Sequence, residues 1–141
     1  MIKTDSGPMK ITSPFGVRGG VPHKGVDIRS WDDAFRYRLD AVLPEDAIYL
    51  RSVHQEKWGW THVFTPVKSG GEIKFTHITP VEFVQGDIYD EGTVVGQSTR
   101  TEYMIEKGYG EHLHFERWKY HTPYNPLKYF DELGKKYEVV G

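Results

Sequence analysis

This sequence predicts a mainly β protein of one domain. Three features carry the prediction: aromatic and β-branched runs through the middle of the chain, glycines at turn positions along its length, and one segment with helix signals, near the C-terminus. Residues 47–53, 60–67 and 72–78 read as strands, and Gly70-Gly71 marks a hairpin between the last two. Gly19-Gly20, Gly86, Gly92, Gly96 and Gly108 suit short strands joined by tight loops. Asn125 can cap a helix whose first turn accepts Pro126, whose apolar face carries Leu127, Phe130 and Leu133, and which Gly134 stops. This helix is expected to pack as a closing element. The residues after it are charged and too few for a separate anchoring domain, and no repeat or linker divides the chain, so residues 1–141 are read as a single domain.

At 141 residues the chain can bury about two-thirds of its unfolded surface and needs neither disulfides nor a partner to fold. A monomer is the expectation. Its formal charge is 18 − 20 = −2 and no Lys/Arg block stands out, which argues against nucleic acid as a partner. With no cysteine, thiolate metal sites and thiol nucleophiles are excluded, so any metal must rest on histidine and carboxylate. The first eight residues have no apolar stretch of the signal-peptide kind, and no run approaches membrane-spanning length, so membrane insertion is not expected.

The chemistry concentrates in three short motifs: His23-Lys24-Gly25-Val26-Asp27, the single His77 of Lys74-Phe75-Thr76-His77-Ile78, and His112-Leu113-His114-Phe115-Glu116. On a strand, period-two alternation puts His112, His114 and Glu116 on one face, and Leu113 and Phe115 on the other, toward the core. Two imidazoles so close can reach one metal-centred site, the competing reading being a solvated strand face. Gly25 lets the chain bend so that His23 and Asp27 converge, although a surface loop with one His and one Asp is commonplace. What distinguishes the set is coincidence: several imidazoles and a carboxylate in one small cysteine-free chain form the ligand set that zinc accepts, and two imidazoles with one carboxylate leave a coordination position for water. His54, His62 and His121 fall in no motif and are given no role. Trp58, Trp60, Tyr103 and Tyr109 are candidates for a groove rim, against the alternative of ordinary core and rim packing.

Ser13-Pro14-Phe15-Gly16-Val17-Arg18 followed by His23-Lys24-Gly25-Val26-Asp27-Ile28 resembles the opening signature of the M23 zinc metallopeptidases of the LytM and lysostaphin type. Phe75-Thr76-His77-Ile78 resembles that family's central motif, and Gly110-Glu111-His112-Leu113-His114-Phe115-Glu116 its closing one. Val94-Val95-Gly96-Gln97-Ser98 and Asn125-Pro126-Leu127 fall where the family has a Gly-containing turn and an Asn-Pro before the last helix, so the match runs in order from about residue 13 to residue 127. The resemblance implies a small antiparallel β-sheet domain with a cleft across the sheet and a short C-terminal helix. It implies one Zn²⁺ per chain held by His23, Asp27 and His114, with His77 and His112 as the catalytic pair that activates water and stabilises the oxyanion. Zinc lowers the pKa of bound water to roughly 7, a range in which imidazole also titrates. There is no His-Glu-x-x-His helix, so histidine takes the part that glutamate plays in other zinc proteases. Glu116 is a candidate to fix an imidazole tautomer, against simple cleft polarity.

The implied activity is endopeptide hydrolysis in the stem peptides or cross-bridges of bacterial peptidoglycan. With no signal peptide, the expected setting is the bacterial cell wall, reached on lysis or carried by a virion. The alternatives are an inactive M23-like binding module and a metal-stabilised phage structural component. Residues 30–39, Glu111 and Asp46 depart from the family pattern and bear on specificity more than on catalysis.

Overall fold

The computed structural model describes residues 1–2, 8–29 and 39–140. Residues 30–38, most of the atypical loop, lie outside them. In chain order the strands are β1 (Met9–Ser13), β2 (Gly16–Arg18), β3 (Val21–His23), β4 (Val26–Arg29), β5 (Asp40–Val42), β6 (Ala47–Gln55), β7 (Gly59–Pro66), β8 (Glu72–Ile78), β9 (Ile88–Tyr89) and β10 (Val94–Gln97). The short helix α1 (Glu102–Glu106) precedes β11 (Leu113–Lys119) and β12 (Thr122–Tyr124), and α2 (Pro126–Glu132) precedes β13 (Tyr137–Val139).

One nine-stranded sheet dominates, in the order β13-β1-β4-β11-β8-β7-β6-β9, with β12 paired to β11. All its pairings are antiparallel except β1 with β13. The hairpin from β7 to β8 turns where expected: Gly70 (φ 67°) and Gly71 (φ 70°) both take the left-handed conformation that glycine adopts without steric cost. Alternation along the central strands sends Ile28, Phe64, Ile73, Phe75, Leu113 and Phe115 into a completely buried core and leaves the other face of β8 and β11 to form a cleft.

Helix α2 closes the core as expected, with the Asn125 side chain accepting from the Leu127 N–H, Pro126 in the first turn and Gly134 (φ 71°) just beyond its end. Its most buried face carries Tyr129 and Phe130, while Leu127 and Leu133 are only partly covered. Tyr129 Oη donates to Glu45 at 2.5 Å, beside the fully buried Arg117 guanidinium, which lies 4.4 Å from the Tyr129 ring. The polar network explains why a tyrosine takes the deep position.

Two elements depart from expectation. The sequence supports one helix, yet α1 forms over five residues, capped by Thr101 and anchored by the buried Met104. The charged C-terminal segment contributes β13, which pairs in parallel with β1 and covers an edge of the large sheet.

Candidate metal centre

Strand register assembles the site. In β11, His114 sits directly opposite Asp27 of β4 on one side and Thr76 of β8 on the other, and such cross-strand pairs share a face with Cβ atoms about 5 Å apart. His114 Nδ1 therefore lies 3.1 Å from Asp27 Oδ1. His23, at the end of β3, reaches the same oxygen with its Nε2 at 3.4 Å. Gly25 makes this approach possible: the chain bends there as expected, and a Cβ would run into the Phe115 carbonyl oxygen and lie 2.8 Å from Glu116 Cγ. The His23–Asp27 loop packs against β11 only because residue 25 has no side chain.

His77 arrives differently. Alternation along β8 assigns it to the core face with Ile73 and Phe75. A register shift against β7, where Trp60 pairs with Ile78 and Thr61 with Thr76, leaves His77 as an extra residue in a β-bulge, at φ 66°. Bulges re-aim side chains, and this one turns the imidazole into the cleft. There its ring centroid stands 5.0 Å from that of His112, which lies just before the start of β11.

Three backbone carbonyls set the tautomers. A carbonyl only accepts, so Pro14 O, Trp58 O and Gly110 O, each 2.8 Å from an Nδ1, require His23, His77 and His112 to carry a proton there. Nε2 is then the remaining ring nitrogen of each, and those of His23 and His112 face Asp27 Oδ1 at 3.4 and 3.8 Å. His114 is oriented the other way, with Nδ1 toward Asp27 and Nε2 2.8 Å from Glu116 Oε2. Glu116 is itself held by the Trp118 indole N–H at 2.6 Å. Pro14 and Gly110 fall within the opening and closing motifs, but nothing in the sequence marks their carbonyls or that of Trp58 as imidazole acceptors, or Trp118 as the partner of Glu116.

The electrostatics follow from this packing. Burial alone would lower the His114 pKa, but hydrogen bonds and charge from Asp27 and Glu116 outweigh it and push it up to about 9. Burial opposes ionisation of Asp27, yet hydrogen bonds from His114 and His23, and the nearby His112, hold its carboxyl well below the usual range. His77 has no carboxylate partner of this kind; burial, aided by His112 and His114, depresses it to about 4 against a raising hydrogen bond to Trp58 O. It is neutral at physiological pH.

Ligand atoms of His23, Asp27 and His114 lie within 4.8 Å of one another. Tetrahedral zinc, with bonds of about 2.0–2.1 Å, has donor–donor edges of about 3.3–3.4 Å, and the 3.4 and 3.1 Å separations to Asp27 Oδ1 match that spacing. Two imidazoles and a carboxylate are also the appropriate donors, and the nitrogens turned away from the cluster are held by Pro14 O and Glu116. The residues present fit the metal.

The cluster opens into a cleft of about 530 Å³ that includes His77, His112 and Glu116 and is bordered by Trp58 and Tyr109. Tyr103 packs edge-on against Trp58, their centroids 5.3 Å apart, while Trp60 packs partly into the core. The remaining histidines stand apart. His62 is 1% exposed, with Nε2 donating to Thr79 O and Nδ1 accepting from Ser52; His54 packs against Trp60; His121 lies in the left-handed turn after β11.

The architecture is that of the LytM/M23 type: a small, mainly antiparallel β domain whose cleft carries a His/Asp/His cluster. No protein-family model matches the chain, and no curated protein matches it in sequence. Among solved structures, LytU is 18% identical over 91% of this chain and 88% of its own, with a TM-score of 0.69. The catalytic domain of the antimicrobial peptidase lysostaphin from Staphylococcus simulans is 17% identical, covering 86% of this chain and 89% of that one, with a TM-score of 0.63. A chain of the SpoIIIAH–SpoIIQ complex is 20% identical, covering 92% of this chain and 97% of that one, with a TM-score of 0.67. At these identities the likeness is one of fold. Among the described residues no helix is long and apolar enough to cross a membrane.

Proposed function

We propose that the chain is a zinc-dependent endopeptidase that hydrolyses peptide bonds in bacterial peptidoglycan. The observation that carries this reading is the convergence of His23, Asp27 and His114 on one point, with two further imidazoles, His77 and His112, lining the same cleft. The fold likeness to lysostaphin, an antimicrobial peptidase, supports the substrate class.

His23 through Nε2, Asp27 through a carboxylate oxygen and His114 through Nδ1 would hold the metal. Zinc supplies a Lewis acid that polarises the scissile carbonyl and makes water acidic enough to lose a proton near neutral pH. The chain's residues do the rest. His77, neutral and with its Nδ1–H committed to Trp58 O, accepts the attacking water's proton at Nε2. His112, its ring 5.0 Å away and its Nδ1–H committed to Gly110 O, has the same atom available. A ring protonated at Nε2 then donates to the developing oxyanion or to the departing amine. Glu116 fixes the His114 tautomer and favours metal binding by keeping Nδ1 toward the cluster. Trp58 and Tyr109 border the groove in which the peptide lies.

A wall-opening enzyme of a phage, freed on lysis or carried in the virion, is the proposed setting, and detection in purified virions or only in lysing cells separates the two. A second reading is an inactive module working in a protein complex, favoured by the likeness to the SpoIIIAH–SpoIIQ assembly. The two readings diverge in one assay: the zinc-loaded chain should release new amino groups from purified peptidoglycan. Release of reducing sugar in place of amino groups would rule out a peptidase.

A further inference from the structure

The cleft does not end at the metal cluster. A second hollow of about 630 Å³ adjoins it across β6, β7, β8 and the end of β11, sharing Arg51 and Lys74 with the first. Its floor continues the alternation that built the site: after His112, His114 and Glu116, the next residue on that face is Trp118. Among the described residues, Arg51, Lys74 and Lys119 line this arm against one carboxylate, Glu72.

The charges are unequally satisfied. Glu72 is taken by Arg51 in a two-pronged pair at 3.0 and 3.1 Å, with Lys74 Nζ a longer 4.0 Å from it. Lys74 Nζ lies instead 4.3 Å from the centre of the Trp118 ring, and the exposed Lys24 Nζ lies 5.9 Å from the same centre. Glu116, the other nearby acid, accepts from the Trp118 indole and faces His114. Lys74 is thus shared between Glu72 and Glu116, both of whose carboxyls its charge helps hold down, and with Lys24 it gathers against one indole, where an anion brought by a ligand would be a further partner.

We propose that this arm is a subsite for a carboxylate of the peptide substrate, gripped by Lys74 over Trp118, with Lys24, outside the arm's lining but 5.9 Å from the same ring, adding its charge from the segment between β3 and β4. The proposal rests on the peptidase reading and adds the chemistry that one side of the cleft selects. Lys74 pairs across the sheet with Glu116, one same-face step from His114, so the arm begins about 7 Å from the metal cluster along the strand. The recognised carboxylate therefore lies within about two residues of the scissile bond at 3.3–3.4 Å per extended residue.

The test uses the zinc-loaded chain carrying His77→Ala, to suppress cleavage, labelled with ¹⁵N. Soluble disaccharide-peptide fragments of peptidoglycan are titrated in, first with free carboxylates and then after amidation. The Trp118 indole N–H signal should move on binding, and the amidated fragments should bind roughly fivefold more weakly, the order expected of two partly exposed ion pairs. Adding Lys74→Met and Lys24→Met should abolish that difference. Equal affinity for the two fragment forms would overturn the subsite, as would the same Trp118 shift with peptide-free glycan. The two proposals fail separately: charge-dependent binding by a wild-type chain that cuts no wall would leave the subsite standing without the peptidase, and cutting with equal affinity for both forms would do the reverse.

Discussion

The bulge at His77 makes a prediction that separates backbone strain from catalytic chemistry. Replacing His77 by alanine or by glycine removes the same imidazole, its bond to Trp58 O and its packing against His112. The two variants differ in the backbone that remains. At φ 66° alanine bears the left-handed penalty of about 1–2 kcal/mol that glycine escapes. Glycine's greater freedom in the unfolded chain returns about 0.5–1 kcal/mol of that advantage. His77→Gly should therefore be the more stable of the two by about 0.5–1 kcal/mol, a melting difference of about 2–4 °C for a domain of this size. In a regular strand the order would be opposite, because glycine weakens strands. Thermal unfolding of both variants, zinc-free in one buffer, measures it. Equal or greater stability of His77→Ala would refute the bulged, left-handed placement of this residue.

Further outcomes follow from the same geometry. The His114 pKa of about 9 in the zinc-free chain lies above the unfolded value of roughly 6.5, so its protonation stabilises the fold fully below the latter and is lost as pH rises through the former. Because zinc needs Nδ1 deprotonated, uptake near pH 7 should release about one proton per metal from His114, a release fading above pH 9; calorimetry in buffers of different ionisation enthalpy reads it. Gly25→Ala forces a Cβ against the Phe115 carbonyl and Glu116, and should cost about 1–3 kcal/mol and weaken zinc binding; unchanged stability and affinity would show that the loop packs elsewhere. Glu116→Gln should lower zinc affinity about tenfold by weakening the hold on His114 Nε2, measured by competition with a chelator; unchanged affinity and turnover would remove that role.

What the sequence revealed and what it hid divide by the range of the interactions involved. The β11 motif was legible because alternation is local: Leu113 and Phe115 are completely buried, and His114 and Glu116 share the cleft face. The ends of α2 were legible for the same reason, since Asn125, Pro126 and Gly134 act within one turn. The cross-strand register that sets Asp27 beside His114 spans 87 residues, and alternation alone does not carry it. The family resemblance gave the grouping of these residues, and the register gives its physical cause. His77 was misplaced by any strictly alternating strand, because a one-residue bulge reverses its face. Gly25 was legible as the place where the chain bends between His23 and Asp27, and it does bend there; the room it leaves against β11 is a distant contact that no local pattern marks. The pairing of β13 with β1 also went unseen, as its three residues are short, partly charged and stabilised by a neighbour more than a hundred positions away.

The central claim is that five residues divide into three that hold zinc and two that act on water. Zinc content and amino-group release from purified peptidoglycan, measured together on wild type, His114→Ala and His77→Ala, test it directly. Wild type should carry one zinc and cut; His114→Ala should lose both metal and activity; His77→Ala should keep its zinc while turnover falls at least about a hundredfold. A zinc-loaded wild-type chain that releases no amino groups from any wall chemotype, or a His77→Ala chain that cuts as fast as wild type, would contradict it.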